Sequence, residues 1–418
     1  MDLIIEEVLL GRETTNIWIH DNHIAGIGSH LPMPADVLHI DGRNKAAFPS
    51  FANGHCHAPM VLFRGLGNDL PLDVWLNEWI WPNEKNLTDE LVYWGTKLAC
   101  LEMIKSGTTA FNDMYFHIES EAKAVEESGI RANLCLNIFG DGAELSDCQR
   151  SIPSSAQERI TFGIAPHAIY TVSETGLLRV AEYCERHDVL CHIHMSETEE
   201  EVSQSIREHG CRPFEYLDQI GFLERIGSKT IAAHALHLNE TEIGLLSSHQ
   251  VKVVHNPNSN LKLGSGHKFL YKELLQAGVD ILLGTDGCAS SNNLDMIEAM
   301  KTMSLLQKGW RKDPTILPAE SVLQTATHNG FKAMGWDAGT IEEGKLADLI
   351  LIDLNNLAFV PNNDTLANLV YAAHGDCVDT VICNGKILMQ ERQIPGEQEI
   401  VKQARAAAQK LITHIPRP

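Results

Sequence analysis

The stretch from Pro49 to Glu84, PSFANGHCHAPMVLFRGLGNDLPLDVWLNEWIWPNE, decides how this chain is read. An apolar run leads into His55-Cys56-His57, and a Gly- and Pro-punctuated segment rich in tryptophan follows. In an extended strand successive side chains point to opposite faces, so His55 and His57 project the same way and can share one metal ion. Cys56 faces the other way, as a small buried hydrophobe rather than a nucleophile or ligand. Alone the motif is weak: 20 His in 418 residues produce about one His-x-His by chance. A second one, His192-Ile193-His194, is present.

The position of the motif in a repeating pattern gives it weight. Eight apolar strand candidates alternate with helix-period segments through the middle of the chain: AAFPSFANGHCH ending at His57, TTAFNDM from Thr108, RANLCLNIF from Arg131, ITFGIAPHA from Ile160, VLCHIHMSE from Val189, TIAAHALH from Thr230, VKVVHNPNS from Val251 and DILLGTDG from Asp280. Between them, Leu91, Trp94, Leu98 and Leu101 recur at helical spacing before a stop at Gly107, and Ser173 is placed to cap SETGLLRVAEYCERH. Near-continuous apolar strands in βα repeats predict a parallel, closed (β/α)8 TIM-type barrel, with an open eight-stranded sheet as the alternative.

Both chain ends read as short β-strands without long helices. The fold class is therefore α/β, with residues 48–344 as the barrel, 1–47 and 345–395 as a small β-sandwich domain, and 396–418 as a C-terminal amphipathic helix suited to packing or subunit contact.

Composition narrows the function. Hydrophobic residues make up 44% of the chain and charged residues 21%, which suits a soluble globular fold. Lys and Arg total 33 against 55 Asp and Glu, a net charge of −22. Such a surface repels nucleic-acid backbones and anionic membranes, leaving a small molecule as the expected partner, with a homo-oligomer, dimer or tetramer, as the expected assembly. Ten scattered cysteines without CxxC fit reduced thiols, and the acidic start MDLIIEEVLLGRETT is unlike a signal peptide, so a cytoplasmic location is expected. Gly264 and Gly266 lack the strand-GxxxxGK-helix context of a phosphate loop.

Barrel active sites lie at the C-terminal ends of the strands, where this chain places its polar residues: His55 and His57, then His167, His194 and Glu197, His234 and His237, His255, and Asp286. Three neutral imidazoles and one carboxylate, His55, His57, His194 and Asp286, form a donor set for one divalent ion, Zn2+ with Fe2+ as alternative, that leaves a position for water. Glu197 reaches the same pocket as a proton shuttle; as a plain helix-terminal acid it would be one of several in SETEEE.

These residues carry a family resemblance. The segments quoted from Pro49 to Glu84, with GIAPHAIYTVSE, HIHMSETEEE, IAAHALHL, VVHNPNSNLKLGSG, LLGTDGCASSNNLDM and EEGKLADLILID, resemble the amidohydrolase superfamily, in its branch of adenosine, methylthioadenosine and S-adenosylhomocysteine deaminases. The resemblance spans nearly the whole chain. It implies metal ligation by His55, His57, His194 and Asp286, catalytic roles for Glu197, His234 and Asp286, and substrate contacts from Glu84, His167, Glu197 and His234, with Trp81 and Ser290 in the same motifs as further contacts. It also favours His194 over His192, because only His194 precedes x-x-Glu, and His234 over His237. No lysine on strand four is present to bridge two metals, so a mononuclear site is implied.

The implied reaction is hydrolytic deamination of an adenine nucleoside. Asp286 takes the proton of the attacking water and relays it to the departing amine, Glu197 protonates the adjacent ring nitrogen, and His234 orients the nucleophile. Guanine, pterin and triazine rings are the alternative substrates, and an inactive metal-binding scaffold is the non-enzymatic one. An S-adenosylhomocysteine substrate calls for an arginine near residues 133–142, where none occurs; Arg131 and Arg150 are loose substitutes. Trp75, Trp79 and Trp81 either line the pocket or anchor their own segment.

Overall fold

At Ser50 the chain changes sheets. Its N–H donates to the Asp348 carbonyl at 3.2 Å, whereas the next N–H, of Phe51, donates to Gly107 at 2.9 Å. The single strand expected over AAFPSFANGHCH is thus two strands in two sheets. Pro49 interrupts the run, and because both halves are apolar, hydrophobicity alone does not mark the break. The computed structural model describes residues 2–32, 36–143, 145 and 158–415.

Before that junction run Asp2–Leu10 (β1), Glu13–His20 (β2), His23–Ile27 (β3), Leu38–Asp41 (β4) and Lys45–Pro49 (β5). The barrel strands follow: Phe51–Cys56 (β6), Thr108–Tyr115 (β7), Arg131–Ile138 (β8), Ile160–Pro166 (β9), Leu190–Met195 (β10), Thr230–His234 (β11), Lys252–His255 (β12) and Ile281–Leu283 (β13). Leu349–Asp353 (β14), Val378–Cys383 (β15) and Lys386–Met389 (β16) return to the first group. The eight strands from the chain ends join into one mixed sheet, β16-β15-β14-β5-β1-β2-β3 with β4 beside β1. This sheet encloses its own apolar cluster, including Leu3, Ile5, Ile17, Ile19, Leu349 and Leu351.

All neighbouring pairs from β6 to β13 are parallel and in chain order. Between β13 and β6 the backbone ladder gives way to polar side chains. Asn53 Nδ2 donates to Thr285 Oγ1 at 2.7 Å, Thr285 N–H donates to Asn53 Oδ1 at 3.0 Å, and Asp286 N–H donates to the His55 carbonyl at 3.0 Å. Gly284 permits this approach, since a Cβ there would sit 2.4 Å from Asn256 Oδ1 and 3.0 Å from the His55 nitrogen. The short helix His328–Ala333 closes the barrel floor, where Phe331 packs with Ala52 and Ala110.

The helix Asp89–Lys105 is capped by Thr88, which accepts from Leu91 N–H, and Ser173 caps Glu174–His187 as expected, accepting from Gly176 N–H. Of the C-terminal segment, Glu397–Leu411 is helical and buries Ala404, Ala407 and Leu411 against Asp89–Lys105. Among the described residues no helix is long and apolar enough to cross a membrane.

Candidate active site

Three strand ends, those of β6, β10 and β13, bring four side-chain donors together. His55 Nε2 lies 3.4 Å from Asp286 Oδ1, His57 Nε2 lies 3.3 Å from the same oxygen, and His194 Nε2 lies 3.3 Å from His57 Nε2. Donor atoms of His55, His57 and His194, and of His55, His234 and Asp286, fall within 4.8 Å of one another. The backbone is bent to place them: His234 (φ 74°) and Asp286 (φ 61°) both occupy the left-handed region, a cost of order 1–3 kcal/mol each that the surrounding structure offsets.

The other ring nitrogens determine which atoms face the centre. His57 Nδ1 is 2.7 Å from the Met114 carbonyl, and His194 Nδ1 is 2.9 Å from the His167 carbonyl. A carbonyl only accepts, so each Nδ1 carries a proton and, in the neutral ring, each Nε2 presents a lone pair. Asp113 on β7 accepts the Ala58 N–H at 2.6 Å and fixes the turn that follows His57. His55 Nε2 is fully buried and has no hydrogen-bond partner, as expected of a ligand atom aimed at a cation.

Burial pushes the His55 pKa down to about 4, against the opposing pull of the Asp286 carboxylate, and takes His194 well below its ordinary value. Burial would raise Asp286, but the His55 ring beside it, with His57 and His234 nearby, outweighs burial and holds the carboxyl well below the usual range. A low-pKa carboxylate among neutral imidazoles is a donor set that suits a divalent ion.

Above the four donors, Glu197 Oε2 lies 3.7 Å from His234 Nε2, and Glu197 Oε1 accepts from Ser265 Oγ at 3.1 Å. Asn260 Nδ2 donates to His234 Nδ1 at 2.8 Å, so the neutral His234 ring carries its proton on Nε2, facing the cavity. Ser259 Oγ holds Asp286 Oδ2 at 2.6 Å, and Gly287 N–H holds Oδ1 at 2.7 Å.

One cavity is lined by His57, Trp81, Glu84, His167, His194, Glu197, His234, Asp286 and Ser290; His55 lies buried beneath them. The expected ligand, catalytic and substrate-contact residues therefore lie together, whereas the strand-end histidines His237 and His255 do not join them. Tyr115 O–H donates to Glu84 Oε1 at 2.9 Å, and burial raises the Glu84 pKa. Trp75 also lines the cavity, whereas Trp79 packs over Gly67. His237 turns away and lies 2.8 Å from the Ser265 carbonyl.

Three features corrected or escaped the sequence reading. His255 stacks on Phe269 at 4.3 Å, outside the barrel interior, because it shares a strand face with Val253 rather than with the inward Val254. Arg131 is committed to Asp348 at the opposite end of the barrel, far from any substrate; Arg150 lies outside the described residues. Phe116 and Phe139 stack at 6.1 Å, and Phe139 stacks on His167 at 5.0 Å, giving the cavity an aromatic wall. These aromatic residues follow β7 and β8 directly, but without metal-binding chemistry they carry no signal in the sequence.

Comparison with known proteins agrees with this geometry. The amidohydrolase family model matches residues 46–388. The chain is 46% identical over 413 residues to 5'-deoxyadenosine deaminase of Methanothermobacter thermautotrophicus, covering 96% of each chain. It is 44% identical over 405 residues to 5-methylthioadenosine/S-adenosylhomocysteine deaminase 1 of Archaeoglobus fulgidus, covering 95% of each. An adenosine deaminase of Xanthomonas campestris, solved with bound zinc, superposes with a TM-score of 0.91 at 33% identity over 98% of both chains. A match of that extent, on a barrel whose strand ends bear this donor set, leaves one assignment: the chain belongs to the amidohydrolase family.

Proposed function

We propose that this protein is a metal-dependent hydrolytic deaminase of adenine nucleosides, with 5'-deoxyadenosine and 5'-methylthioadenosine as its first substrates. The observation that carries the reading is the convergence of three imidazole Nε2 atoms and the Asp286 carboxylate beneath Glu197 and His234. His55, His57, His194 and Asp286 would hold one ion, and zinc suits three imidazoles and a carboxylate. The deaminase relatives support the substrate class.

A bound divalent ion would supply Lewis acidity, which makes water nucleophilic near neutral pH. Asp286 accepts the proton of the attacking water and returns it to the departing amine. Glu197, held by Ser265, passes a proton to the ring nitrogen beside the reacting carbon and regains one from the added oxygen as the product carbonyl forms and ammonia leaves. His234 Nε2–H points at the developing oxyanion, and a donor of this kind lowers the barrier by about 3 kcal/mol. Glu84, fixed by Tyr115, accepts ribose hydroxyls, and the Phe116–Phe139 wall packs the nucleoside.

Ammonia release from the metal-loaded protein tests the reading, across adenosine, 5'-deoxyadenosine, 5'-methylthioadenosine, S-adenosylhomocysteine, guanine and a triazine. Turnover of the nucleosides is expected; release from none of them sinks it. Glu197→Gln should keep the ion and lose turnover by at least about a hundredfold. Retained activity removes Glu197 as the proton donor.

A further inference from the structure

We infer that His192, one layer below the donor set, is a positioning residue that fixes the tautomer of His55 and thereby makes its Nε2 a metal donor. The inference rests on the metal-centre reading above but on different atoms. His192 is fully buried, and its Nδ1 lies 2.9 Å from the Ile231 carbonyl. That oxygen only accepts, so Nδ1 bears the proton. A neutral imidazole with its proton on Nδ1 has a lone pair on Nε2.

His192 Nε2 lies 2.7 Å from His55 Nδ1. Two lone pairs at that distance repel, so His55 Nδ1 must carry the proton and donate it. The lone pair of His55 is then left on Nε2, the atom that has no other partner. The competing tautomer is close at hand, because His55 Nε2 also lies 3.4 Å from Asp286 Oδ1. Without an acceptor at His192, that carboxylate would draw the His55 proton to Nε2 and remove the ring from the donor set. His57 and His194 gain the same control from backbone carbonyls; for His55 the His192 ring relays the Ile231 carbonyl across the barrel interior. Partners of this kind orient ligands and raise their basicity, and losing one lowers metal affinity about 10–100-fold.

Two variants and one spectrum test this. In His192→Phe the acceptor is lost at similar volume; in His192→Gln the Oε1 atom offers an acceptor where Nε2 stood. Zn2+ affinity of the metal-free proteins is measured by competition with a chelating indicator, alongside their thermal melting. His192→Phe should bind Zn2+ about 10–100-fold more weakly, and His192→Gln should regain most of the loss. A purely structural role would lower melting in both variants and leave their affinities equal to wild type, which would overturn the inference. Nitrogen-15 spectra of the histidine-labelled, metal-free wild type decide the case even where His192→Phe does not fold. His55 must show its proton on Nδ1, and a proton on Nε2 refutes the inference. A wild type that shows the Nδ1 proton yet takes up no Zn2+ removes the metal-centre reading instead, so the two failures are distinguishable.

Discussion

Replacing Arg131 with methionine should destabilise the protein by about 3–5 kcal/mol without touching the substrate site. Arg131 Nε and Nη2 bind Asp348 Oδ1 and Oδ2 at 3.0 and 2.9 Å, Nη2 also binds Asn384 Oδ1 at 2.7 Å, and Nη1 binds the Glu158 carbonyl at 3.2 Å. The two side chains are 1% and 0% exposed. The pair joins the start of β8 to the edge of β14, the interface between barrel and outer sheet. Methionine preserves the aliphatic stem but leaves the Asp348 carboxylate buried with weak partners, Asn384 N–H at 3.3 Å, Thr109 Oγ1 at 3.4 Å and the neighbouring Cys383 thiol. The loss is a large share of the 5–15 kcal/mol that folded domains have in total. Urea unfolding followed by circular dichroism should show a clearly lowered midpoint. Arg131→Met with Asp348→Leu should recover most of it, because an apolar pair no longer buries a lone charge. An unchanged midpoint, with selective loss of turnover on carboxylate-bearing S-adenosylhomocysteine, would refute the reasoning and return Arg131 to the substrate site.

Three further substitutions probe the support of the site. Glu121 is fully buried beside Asp113, and burial together with that carboxylate takes its pKa well above the ordinary 4.5. Between 4.5 and the raised folded value the unfolded chain has released a proton that the folded chain retains; stability therefore falls as pH rises through that window, by at most about 1.4 kcal/mol per pH unit. Glu121→Gln has no such proton, so urea midpoints measured upward from about pH 5 should flatten relative to wild type, and parallel profiles would count against the assignment. Asn83 is fully buried and ties the Trp81–Glu84 turn to the C-terminal segment, accepting from Thr413 and His414 N–H at 3.0 and 2.9 Å and donating to the His414 carbonyl at 2.8 Å. Asn83→Ala should free that segment to proteolysis and raise KM with little change in kcat, since Glu84 and Trp81 lose their anchor; an unchanged KM with a released tail separates the two. Gly284→Ala would place a Cβ 2.4 Å from Asn256 Oδ1, opening the β13–β6 seam, so Zn2+ affinity should fall more steeply than the melting temperature.

The barrel was legible because its strands are nearly continuous apolar runs separated by helix-period segments, and the donor set because its members close successive strands. What the sequence hid depends on contacts between distant residues. Arg131 and Asp348 are 217 positions apart, so their pairing has no local signature and Arg131 reads as a free cation. Glu121 reads as one more helix-surface acid in ESEAKAVEES, although its helix turns it inward. Strand parity would have removed His255, since Val254 beside it faces the barrel interior. The same parity gives His192 a role. Side chains inside such a barrel stack in layers, so position i−2 from an inward ligand lies one layer below it. For His57 that position is His55, itself a donor; for Asp286 it is Gly284, kept bare by the approach of β6. For His55 it is Asn53, engaged with Thr285 across the seam; below His194 the layer offers His192, which meets His55 from 137 residues away. The second His-x-His, which chance alone would explain, thus has a physical reason: one histidine faces the ion, and the other sets the proton of the ligand opposite.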